Sequence, residues 1–246
     1  MSKIFEYPTN NMLSRLNNEM QTNNVQPGPY GSLYIPAGSQ SSPSWKVTGK
    51  TDFDRFIKRY ALEATDDSGK KLAWTMATRG DEKKSGNVTM VIPVVKDNEN
   101  GDWLFIQEEA RPIDLARNGS DSRLLAFPAG IIGDEVENES AQESAIRELT
   151  EETGLVSNKI EHLNPFGAIP TTPGLTDEAT EYYSAEIESL KPVKKALTDG
   201  VTKGWWLVPV ACLFKWFGAL AQSGKIATGQ TLTALQLMMQ KGKIRF

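Results

Sequence analysis

Short runs of apolar residues, each bounded by turn-forming residues, follow one another from Asn87 to the end of the sequence. Most have the length and bounds of β-strands, and three segments have the spacing or composition of helices. The predicted strands are NVTMVIPVVKD, DWLFIQEEARP, SRLLAFPAGII, the end of GAIPTTPGLTDEATEYYSAEIE, and VTKGWWLVPV. The predicted helices are the glutamate-rich segment SAIRELTEETGL, then CLFKWFGALAQSG and TLTALQLMMQKG. Strands around one central, highly charged helix predict an α/β (α+β) sandwich.

The first third of the sequence has a different texture. Residues 1–48 are rich in Asn, Gln, Ser, Pro and Gly, which predicts an irregular arm that packs against another surface. The segment TDFDRFIKRYALEA predicts a capped amphipathic helix that begins after Thr51 or Asp52, and KKLAWTMATRG predicts a strand. We therefore divide the chain into an arm at 1–48, a small helix and strand region at 49–86, and a main domain at 87–246.

Charge and composition exclude several classes of protein. The formal net charge is -4 and the basic residues are scattered, so nucleic acid is not an expected partner. One cysteine, Cys212, and one histidine, His162, exclude a disulfide framework and a Cys/His zinc site within one chain. The most apolar window, Trp205–Ala221, is short for a membrane span and contains Pro209 and Lys215, so it predicts a buried strand followed by a helix. Because the N-terminus has no signal-peptide core, we expect a cytoplasmic location and no membrane partner.

Three glutamates crowd one turn of the glutamate-rich helix. Glu151 and Glu152 stand three and four residues after Glu148, so all three side chains lie on one side of the helix. Their mutual repulsion and their place near the C-terminal end, which Gly154 predicts, are both unfavourable. One interpretation is a solvated acidic face with Arg147 as its counter-ion. The other is a site for Mg²⁺ or Mn²⁺, because a hard dication bound by carboxylates turns this repulsion into chelation.

A wider frame favours the metal site. The segment GDEVENESAQESAIRELTEETGL contains Gly, five residues, Glu, seven residues, and then Arg-Glu-apolar-any-Glu-Glu-any-Gly-apolar. This pattern resembles the signature of the Nudix hydrolases. The matching positions are Gly133, Glu139, Arg147, Glu148, Leu149, Glu151, Glu152, Gly154 and Leu155.

The resemblance implies a fold, an activity and a set of site residues. The implied fold is a Nudix-type α/β/α sandwich with a mixed sheet, and the implied activity is cleavage of a diphosphate linked to another group. Two or three Mg²⁺ or Mn²⁺ ions would act with the substrate. The implied metal ligands are Glu148, Glu151 and Glu152. The residues with implied structural roles are Gly133 and Gly154 as turns, and Arg147 as a bond to Glu139 and Glu151.

Flanking segments resemble the ADP-ribose pyrophosphatase branch of that family. FPAG precedes the signature, and the resemblance implies that the carbonyl oxygen of Ala129 completes a metal site. Pro170 and TTPGLTDE resemble a loop of that branch, and DWLFIQEEARP resembles its Gln-any-Arg strand end, which makes Arg111 a candidate contact for the diphosphate. The loop IIGDEVEN is about three residues longer than in the branch. For the catalytic base the alternatives are Asp199 and a signature glutamate, of which Glu152 is favoured.

The expected substrate is ADP-ribose or a related nucleoside diphosphate sugar, with AMP and ribose 5-phosphate as products from ADP-ribose. The alternatives are another nucleotide, such as a dinucleoside polyphosphate, another sugar nucleotide or a nucleotide cofactor, and a non-catalytic ligand sensor with the same fold. The region at 49–86 corresponds in position to the segment through which such enzymes dimerise. We therefore expect a homodimer.

Overall fold

The computed structural model describes residues 9–22, 24–37, 57–79, 86–99, 101–112, 122–196 and 201–245. Within these residues the α-helices are α1 Thr9–Met20, α2 Ala141–Thr153, α3 Leu213–Gln222 and α4 Gly229–Gln240, and short 3₁₀ turns span Pro29–Gly31 and Val210–Cys212. The strands are β1 Gln26–Pro27, β2 Leu33–Pro36, β3 Lys58–Thr65, β4 Lys71–Thr78, β5 Val88–Val95, β6 Trp103–Arg111, β7 Ser122–Ala126, β8 Ala129–Ile131, β9 Lys159–His162, β10 Ile169–Pro170, β11 Ala179–Ile187, β12 Thr202–Pro209 and β13 Lys225–Ala227.

All of these strands except β3 and β4 belong to one mixed sheet. Its main path runs β1-β2-β12-β6-β5-β11-β10, while β7 joins β6, β8 joins β5, β9 joins β11 and β13 joins β7. The pairs β5–β11 and β7–β13 are parallel, and the other pairs are antiparallel. Strands and charged helix together form the mixed α/β sandwich that the sequence predicted.

Helices cover both faces of the sheet because consecutive strand residues point to opposite faces. Val91 packs with Leu149 of α2 and Leu16 of α1, whereas the next residue, Ile92, packs in the other core with Trp216 of α3. The predicted strand and helix in Trp205–Ala221 correspond to β12 and α3. In the part of the chain that the structure describes, no helix is long and apolar enough to cross a membrane.

The prediction of an irregular arm at 1–48 is wrong for α1 and β2. Met12 and Leu16 lie four residues apart on one side of α1, and both are buried against the sheet. In β2, Leu33 pairs with Leu207 of β12, which makes β2 part of the main sheet. The polar composition concealed these few apolar anchors, which are stabilised by tertiary contacts and not by local preference.

The prediction of a helix in TDFDRFIKRYALEA is wrong from Lys58 onward, and its start at Thr51 or Asp52 lies outside the described residues. Lys58–Thr65 is a strand, paired with β4 in a separate two-stranded hairpin. The turn of this hairpin is organised by Asp66, whose carboxylate accepts the backbone N–H groups of Ser68 and Lys70 at 2.9 Å each. Pairing with β4 therefore overrides the helix-forming residues of β3.

The predicted strand SRLLAFPAGII is divided into two. Its first part, β7, pairs with β6, and its second part, β8, pairs with β5. Phe127 and Pro128 separate them, and the carbonyl of Pro128 accepts the N–H of Val91 at 2.9 Å. This change of partner brings the Ala129–Gly130 backbone under helix α2.

Candidate active site

Helix α2 has strong signals at both ends. A capping box joins Ser140 and Glu143 at its start. At its end Gly154 adopts φ +75°, and a β-carbon there would overlap the carbonyl oxygen of Lys194. Only glycine combines this backbone conformation with such a close approach. These signals fix the helical register, and the register sets the direction of every glutamate in the signature.

Arg147 holds several of these glutamates. Its Nε and Nη2 donate to the two oxygens of Glu139 at 2.9 and 3.2 Å, and its Nη1 donates to Glu151 at 3.1 Å. These are the contacts that the sequence resemblance implied. Nη1 also donates to Glu148 at 2.7 Å, a contact that was not predicted. Because the side chain of Arg147 is only 13% exposed, this guanidinium is a partly buried counter-ion for the three carboxylates to which it donates, and Asp134 and Glu135 lie within 4 Å of it as well.

Glu139 anchors the long loop before the helix. The N–H of Gly133, which has φ +78°, donates to Glu139 at 3.4 Å. The bond from Arg147 is the main reason that the pKa of Glu139 lies below its usual value. Glu139 is therefore an ionised link between Arg147 and the turn at Gly133.

Glu148 is buried against the backbone of β8. A β-carbon on Gly130 would overlap its carboxylate, so this close approach requires glycine. Burial raises the pKa of Glu148, although the neighbouring Arg147 acts in the opposite direction. The FPAG segment thus contributes a backbone surface on which the carboxylate of Glu148 rests.

Glu152 lies one turn of α2 after Glu148, in the same cluster of carboxylates. Its Oε2 accepts the N–H of Ala129 at 3.3 Å. Burial raises its pKa well above the usual value, and the carboxylates of Glu109 and Glu148 raise it further. The structure therefore brings Ala129 and Glu152 together through the N–H of Ala129. A metal-binding role for the Ala129 carbonyl stays a prediction.

Glu109 belongs to this cluster and was missed in the sequence. It is 7% exposed, and its Oε2 accepts Nε of Arg111 at 2.7 Å. Residues two apart on a strand share a face, and both belong to the charged end of the apolar run DWLFIQEEARP. The available signal was a pair of glutamates, Glu108 and Glu109, in an otherwise apolar strand, and it does not tell the two apart. Arg111, the candidate diphosphate contact, acts on the pKa of Glu152 by lowering it.

Two predicted site residues, Pro170 and Asp199, remain. Pro170 lines a cavity of about 450 Å³ whose other described walls include Thr171, Glu178, Tyr182 and Gln230. The glutamates of α2 are not among its described lining residues, so the structure does not join Pro170 to the cluster. Asp199 lies outside the described residues.

The donor set can be tested against a hard dication. Among the residues that the structure describes, no three carboxylate, imidazole or thiolate groups already stand in a metal-binding arrangement. Glu148 and Glu151 are instead bonded to Arg147. The chemistry nevertheless fits Mg²⁺ or Mn²⁺, because the donors are oxygens, the carboxylates repel one another, and Gly130 leaves room for Glu148 that a side chain would fill.

Comparison with known proteins gives the family. The family model described as NUDIX domain matches residues 88–216. A solved structure titled "Crystal structure of ADP compounds hydrolase" is similar at 18% identity and a TM-score of 0.50, over 83% of this chain and 97% of that chain. The Nudix domain of NrtR from Shewanella oneidensis, solved with ADP ribose, is similar at 17% identity and a TM-score of 0.44, over 63% of this chain and 86% of that chain. None of the curated protein sequences matches the chain.

Proposed function

The chain belongs to the Nudix family and is a Nudix pyrophosphohydrolase, and from this premise we propose that it hydrolyses the diphosphate bond of ADP-ribose or a related nucleoside diphosphate sugar with Mg²⁺ or Mn²⁺. From ADP-ribose the products are AMP and ribose 5-phosphate. A cytoplasmic location stays a prediction.

One observation carries the proposal of a metal-dependent reaction. The pKa of Glu152 is raised by burial and by the carboxylates of Glu109 and Glu148, so ionising this cluster without a cation is unfavourable. A diphosphate adds further negative charge to the same region. Carboxylates that repel one another in this way can bind divalent cations that enter the site with an anionic substrate.

Each residue of the cluster has a role in this proposal. Glu148, Glu151 and Glu152, with the carbonyl of Ala129, would hold two or three cations. When bound, a divalent cation supplies charge neutralisation of the diphosphate and a more acidic water molecule. Glu152 is assigned as the base that takes a proton from the attacking water, with Asp199 as the alternative. Arg111 binds a diphosphate oxygen, and Arg147 keeps the signature loop and helix in register.

Incubation with ADP-ribose and Mg²⁺ tests the proposal. The expected result is stoichiometric AMP and ribose 5-phosphate, abolished by EDTA. A panel of other sugar nucleotides, dinucleoside polyphosphates and nucleotide cofactors should be hydrolysed at a lower kcat/KM. If one of these compounds is preferred, it replaces ADP-ribose as the proposed substrate, and the proposed reaction, hydrolysis of a diphosphate bond, stays the same. Binding of ADP-ribose without turnover of any panel member would instead show a ligand sensor.

We further propose that the partner of the chain is a second copy, which docks through the β3–β4 hairpin. Cross-strand neighbours place Tyr60, Leu62, Leu72 and Trp74 on one face, at 42% to 58% exposure each. These four side chains have a surface of about 200 Å² each and are about half exposed, so together they offer roughly 400 Å² of apolar surface. This is about half of the area that one partner buries in a standard interface. A lone two-stranded hairpin is also marginally stable in water.

The pattern of this face favours a second copy over a charged partner. The paired residues in its middle are Tyr60 with Met76, Leu62 with Trp74, and Ala64 with Leu72. Since none of them carries charge, the same surface on another copy meets it without like-charge repulsion. At the base of the hairpin Leu175 is 61% exposed and extends the apolar surface.

A further inference from the structure

Glu109 is a buried charged residue on β6. A carboxylate at 7% exposure is costly unless its oxygens are bonded. Both oxygens of Glu109 have partners: Oε1 accepts Nε2 of Gln107 at 3.0 Å, and Oε2 accepts Nε of Arg111 at 2.7 Å. Glu109 is therefore held in one orientation.

This orientation is fixed from the neighbouring strand. Gln107 also donates from Nε2 to Oγ1 of Thr202 on β12, at 3.1 Å. The contacts form a continuous series from Thr202 through Gln107 and Glu109 to Arg111. All but the last of these residues are buried, so the series ends in one partly exposed guanidinium, that of Arg111.

The end of this series faces the glutamate cluster. Glu109 lies on the same face of β6 as Phe105, which belongs to the core that Leu149 of α2 also joins. The opposite effects of Glu109 and Arg111 on the pKa of Glu152 agree with this placement. Glu109 binds Arg111 through Nε, and this contact sets the plane of the guanidinium. An arginine fixed in this way recognises an anion with less loss of side-chain freedom.

We propose that Glu109 is a positioning residue that orients Arg111 toward the diphosphate of the substrate. The inference rests on the proposed function for the identity of the bound group. Glu109 contributes a correctly placed acceptor oxygen for Arg111, and its negative charge is not what matters. If Glu109 were instead a ligand of a cation, its negative charge would be required. If its ion pair with Arg111 were only structural, its loss would lower the stability and leave ligand binding unchanged.

Substitutions at Glu109 separate position from charge. Glu109→Gln removes the charge but keeps an oxygen in the same place for Arg111, and the amide of Gln107 can turn so that its unpartnered Oε1 accepts the new NH₂ group. Glu109→Asp keeps the charge but withdraws the carboxylate by one methylene group. The probe is ADP with Mg²⁺, followed by calorimetry, with the kcat and KM of the preferred panel substrate measured beside it.

The expected Kd of ADP for Glu109→Gln is within about 3-fold of the original protein, and for Glu109→Asp it is raised about 5-fold to 10-fold, in the range of one lost charge-assisted hydrogen bond. KM should rise in parallel while kcat changes little. Glu109→Ala and Arg111→Ala should each raise Kd about 10-fold, and the double variant should be no worse than the weaker-binding single variant. Glu186→Ala, which removes the 3.0 Å ion pair with Lys159, is the matched control.

The opposite result would be a normal Glu109→Asp variant and a Glu109→Gln variant with a lower kcat and a weaker affinity for Mn²⁺. This result would make Glu109 a metal ligand and overturn the proposal. Additive effects in the double variant, or unchanged ADP binding in all variants, would overturn it as well. The Gln and Asp variants decide the question if the alanine variant does not fold. Absence of turnover on every diphosphate would overturn the proposed function, while ADP binding that depends on Glu109 as described would leave this inference standing.

Discussion

The carboxylate of Glu148 lies directly on the backbone of Gly130, so closely that a β-carbon at position 130 would overlap it. Gly130→Ala should therefore move Glu148 away from the cluster. We expect kcat/KM to fall at least about 10-fold and the stability to change little, because the atoms that must move are the end of one flexible side chain. Enzyme assays and chemical denaturation would measure both.

Gly218→Ala is the control for this substitution. No atom lies within 4 Å of a β-carbon at position 218, which is in helix α3. This variant should retain full activity and gain roughly 0.5–1 kcal/mol of stability. Normal activity of Gly130→Ala would mean that the position of Glu148 is not needed.

Glu152→Gln should separate catalysis from folding. It removes the proposed base and one repelling charge, while the shape of the side chain is kept. The expected loss in kcat is about 10²–10⁴-fold, with unchanged or slightly higher stability. Single-turnover kinetics and thermal denaturation without metal are the measurements. Marked destabilisation would assign Glu152 a structural role.

Stability should depend on pH through the same residue. Since burial raises the pKa of Glu152 above the 4.5 of the unfolded chain, the folded state binds this proton more tightly. Its contribution to stability is present below the unfolded value and is lost as pH rises through the folded value. In EDTA, the Tm of Glu152→Gln minus that of the original protein should therefore increase from pH 4.5 upward. A difference that stays constant with pH would contradict the raised pKa.

Arg147→Ala should be strongly destabilising. It leaves Glu139, Glu148 and Glu151 without the partly buried guanidinium that neutralises them. We expect a loss of about 3 kcal/mol in the free energy of unfolding, measured with urea. Lys159→Ala removes an exposed ion pair with Glu186 and should cost at most about 1 kcal/mol. Equal effects of the two variants would show that Arg147 is an ordinary surface residue.

The hairpin predicts the oligomeric state. A charge placed on its apolar face, in Leu62→Glu or Trp74→Glu, should convert a dimer to a monomer in light scattering at micromolar concentration. Glu63→Gln, on the opposite face of the same strand, should leave the dimer intact. A monomeric original protein would exclude a dimer formed through this face.

Local features of the sequence were enough to predict helix α2, and the family resemblance added the bonds of Arg147 to Glu139 and Glu151 but not its bond to Glu148. The spacing of Arg147, Glu148 and Glu152 within one helix fixes their relative directions, and the ends are given by Ser140 and Gly154. The sheet that carries the site was predictable in outline for a similar reason, because its central strands are strongly apolar. A sequence that is apolar over a whole strand needs little further information to be placed in a core.

Features that depend on distant partners were not predictable in this way. Glu109 is significant because it meets Gln107, Arg111 and Glu152 in space, and the letters QEEAR alone do not distinguish it from the neighbouring Glu108. That neighbour lies on the other face of the strand, where it accepts the indole N–H of Trp206 at 2.9 Å. Strand β3 was missed because its partner β4, and not its own residues, determines its conformation.

The region that matches the Nudix family model is shorter than the part of the chain that forms the main sheet and its helices. Strand β2 pairs with β12, which follows it by more than 160 residues, through Leu33 and Leu207. Arg15 of α1 donates to the carbonyl oxygens of Lys96 and Glu188, which directly follow the adjacent parallel strands β5 and β11. Synthesis must therefore pass β12 before the edge of the sheet can close, and a fragment limited to residues 88–216 would leave that edge open to other chains.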